Sequence, residues 1–146
     1  MTEDASKCLF CDIVQGRVSS HLVREEDQVM AILDPFPIRP GHTLIISKAH
    51  HSYFDDLPDD IIIQMSRLAQ RLGRAMKSWY GVARVAFFCT GTHIDHAHAH
   101  LVPMHEDTDL TSRRYIAEEN LTFRTLPREE DSRLAETAEH LRSMLD

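Results

Sequence analysis

Apolar residues recur at two periods along this chain of 146 residues, and the change of period sorts it into strands and helices. Leu22 to Arg24 and Val29 to Leu33 have strand character and are split by the acidic Glu25-Glu26-Asp27, a pattern that predicts a hairpin. The segment Asp34-Pro35-Phe36-Pro37-Ile38-Arg39-Pro40-Gly41 suits neither helix nor central strand, because its prolines remove backbone donors and Pro40-Gly41 marks a turn. It leads into Thr43-Leu44-Ile45-Ile46-Ser47, predicted as a buried strand. After Asp59-Asp60 the spacing becomes three and four, through Ile61, Met65, Leu68, Leu72, Met76 and Trp79. An amphipathic helix is expected there, ending at Gly81. Arg67, Arg71, Arg74 and Lys77 fall on its outer side and read as a solvated face.

Beyond Gly81, Arg84 to Thr90 is a strand candidate rich in Val and Phe, and a turn at Gly91 follows. Then His96, His98 and His100 alternate with Ala97, Ala99 and Leu101 on a strand expected to run to about Met104. Successive side chains of a strand point to opposite faces, so the three imidazoles share one side and the small apolar residues pack on the other. Residues 105–127 look irregular, and Pro127 to Leu145 repeats Leu134, Ala138, Leu141 and Leu145 as a second helix would. Grouped strands with segregated helices predict an α+β fold on a mainly antiparallel sheet of about five strands, with one long central helix and a C-terminal one.

Composition narrows the possibilities. A chain of this length is in the usual single-domain range and buries enough surface to need no disulfides. The net charge of −7 gives no overall reason to approach nucleic acid or an anionic membrane. A locally positive site for a small phosphate ligand is still compatible with it. No apolar run approaches the roughly 20 residues that cross a bilayer, and Met1-Thr2-Glu3-Asp4 lacks the pattern of a signal peptide. The expected location is the cytoplasm, where Cys8-x-x-Cys11 suits metal or redox chemistry better than a disulfide.

Imidazole titrates near pH 6.5, so around neutrality such a row is largely uncharged, nucleophilic and able to accept or donate protons. Two uses fit: holding a metal, or attacking an electrophile such as phosphorus. An exposed polar strand face is the bland alternative.

His96-Ala97-His98-Ala99-His100-Leu101-Val102 resembles the His-x-His-x-His-x-x signature of the histidine triad superfamily of nucleotide hydrolases and transferases. The resemblance extends over Cys8 to Gly16, Ala31 to Pro37 and Pro40 to His50, in the family's order. It covers about residues 8–104 and leaves 105–146 as an extension of a single domain.

The resemblance implies that His98 attacks the α-phosphorus of a purine-type nucleotide and forms a covalent nucleotidyl-histidine. It implies that His100 contacts the phosphate and that His96 holds the nucleophile or binds metal. Asp34 matches the acidic residue that takes the ribose hydroxyls, although it also reads as a turn residue before Pro35. Ile32, Leu33 and Phe36 suit the base pocket or the core equally. Cys8, Cys11, His50 and His96 match the zinc-binding branch, with His51 competing with His50; a closed Cys2His2 set suits structural zinc. No organic cofactor is implied, and the family's habit is a homodimer that joins two sheets. Cys89 reads as a buried apolar residue.

Departures from the family pattern fall near the chemistry. Gly91-Thr92 stands where Gly-Gln is usual, His93 where Ser or Thr is common, and His105 where an arginine is common. Thr92 and His93 are the candidate phosphate donors in that loop, and Arg113 and Arg114 could replace the missing charge if the tail folds back. The leading expectation is an enzyme acting on a phosphoramidate, acyl-adenylate or dinucleoside polyphosphate. The alternatives are a zinc-stabilised, nucleotide-binding interaction module with little turnover, and a catalytic metal site made by the histidine row.

Overall fold

The computed structural model describes residues 7–110 and 125–145. Five strands form one antiparallel sheet: β1 (Leu22–Glu25), β2 (Val29–Leu33), β3 (Thr43–Ser47), β4 (Arg84–Phe88) and β5 (His98–Met104). Their spatial order is β1-β2-β3-β5-β4, so the last strand in sequence lies inside the sheet and β4 forms an edge. The helices are α1 (Leu9–Val14), α2 (Asp59–Tyr80) and α3 (Asp131–Ser143). The α+β architecture predicted from the two periods is the one observed, with a further short helix, α1, that six residues are too few to announce by periodicity.

Both faces of the central strands are covered, which explains why β2 and β3 read as continuous apolar runs. Val29, Ala31, Leu33, Ile45, Ala99 and Leu101 face α2 and α3 in one core. Met30, Ile32, Leu44 and Ile46 pack with Phe10 of α1 on the other side. Leu44 pairs with His100 and Ile46 with His98, so the two imidazoles share the α1 face with these apolar neighbours.

The histidine strand begins two residues later than its pattern predicts. Ala97 donates its N–H to the His51 carbonyl at 2.7 Å instead of continuing the ladder, so His96 sits on a bend before β5. Alternation nonetheless persists, with Ala97 in the helix-side core.

In α2 the predicted stripe is buried, and Gly81 ends the helix at φ +65° with its N–H on the Lys77 carbonyl. Arg71 departs from the solvated face: it is half-buried, donating to Glu26 at 2.9 Å and to the Leu145 carbonyl at 3.1 Å. The C-terminal helix starts at Asp131, later than the Pro127 expected, because Glu129 donates its N–H to the Pro35 carbonyl at 2.7 Å and holds the preceding segment extended. Leu134, Ala138 and Leu141 then sink into the helix-side core. At about 1.5–3 kcal/mol per buried leucine side chain, that stripe rather than intrinsic propensity holds α3 in place.

Candidate functional site

A cleft of about 570 Å³ opens on the α1 face of the sheet. Leu9, Phe10 and Ile13 form one wall, the end of β2 with Asp34, Pro35 and Phe36 forms another, and His98 and His100 lie along it. Ile32 and Leu33 also line it, while Phe36 is half exposed at 51%. The residues expected to meet base and ribose therefore border one cavity.

Backbone partners fix which nitrogen of each ring is available. His98 Nδ1 lies 2.6 Å from the His96 carbonyl, which can only accept, so Nδ1 carries the hydrogen and Nε2 keeps a lone pair. Phe10 packs edge-on against the His98 ring at 4.9 Å. His100 is held by His42, a residue that sequence reasoning did not single out. Ile38 donates its N–H to His42 Nδ1 at 3.1 Å, so His42 Nε2 carries the proton and donates it to His100 Nδ1 at 2.9 Å. His100 Nε2 is then left as a donor, and Phe88 stacks on that ring at 4.8 Å. The signal for His42 was its parity: it falls on the face of Leu44, whose strand partner is His100.

Burial, and next the neighbouring His100, pushes His42 down to about 3; burial, and next His98, pushes His100 down to about 4. Both folded values lie below the usual 6.5, so the unfolded chain takes up protons that the folded chain refuses. The stability from this neutral pair is fully present above about pH 6.5 and is lost as pH falls toward 4 and then 3. Each such proton changes stability by about 1.4 kcal/mol per pH unit within its window. Urea midpoints at pH 7.5 and 4.5 should differ accordingly, with a shallower slope in His42→Gln; an equal slope in that variant would refute the neutral pair.

Asp34 uses Oδ1 to accept the Phe36 N–H at 2.8 Å, while Oδ2 stands 3.8 Å from His42 Nε2. Turn former and cleft residue are thus one side chain. Burial raises its pKa, opposed by the Phe36 N–H and by His98. Thr92 is exposed and does not line the cleft; Thr90 does, with His93. Between them Gly91 turns at φ +66°, where an added Cβ would meet the Tyr53 ring at 2.5 Å. Thr90 is therefore the threonine of this loop that borders the cavity.

Cys8, Cys11, His50 and His96 converge behind this cleft, their ligand atoms all within 4.8 Å of one another. His96 is fully buried and donates Nε2–H to the Ser47 carbonyl at 2.7 Å, leaving Nδ1 as a lone pair. That Nδ1 lies 3.3 Å from Cys8 Sγ, 3.5 Å from Cys11 Sγ and 3.2 Å from His50 Nδ1. Around a tetrahedral ion with ordinary zinc bond lengths, ligand atoms stand roughly 3.3–3.8 Å apart, so the donor set fits such a metal. Burial, then Cys8, pushes the Cys11 thiol up to about 11 when no cation offsets the charge. His51 contributes its carbonyl to Ala97 instead.

Asp34, His42 and His100 also lie close enough to hold an ion, but the His42 and His100 nitrogens that face each other share a hydrogen. Cys89 is half-buried, as an apolar packing residue would be, and its carbonyl accepts from Tyr53. His105 is exposed, its backbone N–H on Asp109 at 2.9 Å. Arg113 and Arg114 lie outside the described residues. Sequence reasoning also missed that Arg128 and Asp131, far along the chain, border the cleft beside His21.

Comparison with known proteins agrees with this geometry. The adenosine 5'-monophosphoramidase of Saccharomyces cerevisiae is 35% identical over 107 residues, 73% of this chain and 67% of the relative. An uncharacterized HIT-like protein of Saccharolobus solfataricus is 33% identical over 101 residues, 66% of this chain and 73% of its own. A Zn-bound histidine triad family protein from Mycobacterium smegmatis superposes with a TM-score of 0.71 at 26% identity, over 97% of this chain and 95% of that one. A Hit-like protein from Bartonella henselae shares the fold at a TM-score of 0.78 and 21% identity, over 99% and 100%. Residues 15–107 match the HIT domain, a span that runs from the hairpin through the histidine strand, and the chain therefore belongs to that family.

Proposed function

We propose that this chain releases a nucleoside monophosphate from a phosphoramidate, acyl-adenylate or dinucleoside polyphosphate through a covalent intermediate on His98. The observation that carries the proposal is the bond from His98 Nδ1 to the His96 carbonyl, which leaves Nε2 as the lone pair on a cleft residue. A bond from Nε2 to the α-phosphorus forms while the bond to the leaving group breaks, and the leaving group takes that electron pair. His100, its outer nitrogen made a donor by His42, stabilises the charge gathering on the phosphoryl oxygens. Water then attacks phosphorus, the P–Nε2 bond breaks with its electron pair returning to Nε2, and the proton that the water gives up balances the one that the leaving group takes up. Asp34 accepts from the ribose hydroxyls, and Ile32 and Phe36 hold the base, with the neighbouring Leu33 packed into the helix-side core. Thr90 and His93 are the donors nearest the leaving group. The yeast relative, named as an adenosine 5'-monophosphoramidase, supports the P–N bond as a substrate linkage.

Zinc belongs to the same reading, as a structural ion held by Cys8, Cys11, His50 and His96. It would fix the bend that ends at His98. The relative solved with zinc supports that assignment. The assembly proposed with it is a pair of copies meeting along the outer strand β4, where Phe87 is 47% exposed; sedimentation giving a single-chain mass across the micromolar range would exclude the pair.

Rapid quenching after mixing with an adenosine phosphoramidate labelled at the α-phosphate tests the central step. An acid-labile adduct mapping to His98 is expected. Turnover with the label never attached to protein would overturn the covalent route. Turnover too slow to measure would favour a binding module.

A further inference from the structure

We propose that Arg128, Asp131 and His21 form the base-reading end of the cleft and select guanine over adenine nucleotides. This rests on the nucleotide reading above and deepens it. The match to the HIT domain ends at residue 107, so Arg128 and Asp131 lie beyond the matched segment. Both nevertheless line the cleft, together with His21, because the bond from Glu129 to the Pro35 carbonyl ties their segment to its wall.

The sheet sets the distance between this group and the histidines. His98 and His100 stand on β5, and His21 immediately precedes β1, with β3 and β2 between. Three inter-strand gaps amount to roughly 14 Å. A nucleotide with its phosphorus at His98 and its ribose at Asp34 directs the far edge of a purine toward β1. A pyrimidine is one ring shorter.

The chemistry of the group favours one purine. Asp131 Oδ1 accepts from His21 Nε2 at 3.0 Å and from Arg128 Nη2 at 3.0 Å. His21, then Arg128, holds the Asp131 carboxyl below its usual range, so it is an acceptor at neutral pH. Both bonds fall on Oδ1, which leaves Oδ2 for a ligand. Guanine presents adjacent donors at N1 and its 2-amino group and acceptors at O6 and N7, complementary to a carboxylate beside a guanidinium. Adenine places an acceptor at N1 and offers its amino group at C6 instead, so the carboxylate gains less. The Asp131 side chain is 70% exposed, and water competes for each bond. The expected preference is therefore about tenfold, the value of one net hydrogen bond.

Calorimetric titration of the full chain with GMP and AMP reads binding without turnover. GMP should bind about tenfold more tightly. Asp131→Asn should reduce the ratio to within about threefold, chiefly by weakening GMP, and Arg128→Gln, which removes the Nη2 bond to Asp131 Oδ1, should reduce it in the same direction. A merely structural ion pair would alter both affinities together. Equal affinities in the unmodified chain, or a preference that survives both substitutions, would overturn the base-reading role alone. Binding of neither nucleotide would overturn the nucleotide reading with it.

Discussion

His98→Asn should lower single-turnover release of nucleoside monophosphate by about 10⁴-fold or more, with nucleotide affinity retained to within a few-fold. Asparagine keeps a side-chain N–H that can reach the His96 carbonyl, so the bend before β5 survives. It has no nucleophilic nitrogen, and the covalent route closes. Loss of a nucleophile in a coupled catalytic group typically costs this much or more, and binding contacts supply what remains. The packing of Phe10 against the ring is the main structural loss, modest beside that factor. Rates that fall less than tenfold would mean that another group attacks phosphorus.

Removing the zinc ion proposed above should have the second largest effect, and it should show in stability before it shows in chemistry. Chelation, or Cys11→Ser, is expected to lower the melting midpoint by about 10 °C or more, corresponding to a few kcal/mol for a domain of this size. The cluster ties residues 8 and 11 to residues 50 and 96, and α1 between them carries Leu9, Phe10 and Ile13 of the cleft wall. Loosening α1 should raise KM severalfold while kcat falls less, because His98 and His100 remain on a strand paired on both sides. Elemental analysis of the purified chain, with scanning calorimetry before and after chelation, measures both parts. A metal-free chain with an unchanged midpoint would rule out the structural ion.

What the sequence disclosed depended on how far each interaction reaches along the chain. The strands and the long helix were legible because their signals are local: β2 and β3 as apolar runs, α2 as a stripe from Ile61 to Met76. The alternation of His98 and His100 was legible for the same reason. The start of α3 was not, since a bond to Pro35, remote in sequence, decides where it begins. His42 was not singled out, because its role needs the β3–β5 register. The exchange of Thr92 for Thr90 turns on one backbone angle at Gly91, and the place of Arg128 beside the cleft is tertiary entirely.

The register of β5 also governs how this protein can change over generations. Leu44 faces His100 and Ile46 faces His98, with alanines on the reverse side. One codon gained or lost between His98 and His100 would set the two imidazoles on opposite faces of the sheet, driving one of them into the helix-side core. Single substitutions in this strand can be tried one at a time; a change in its length arrives all at once, and has no half-way form to select.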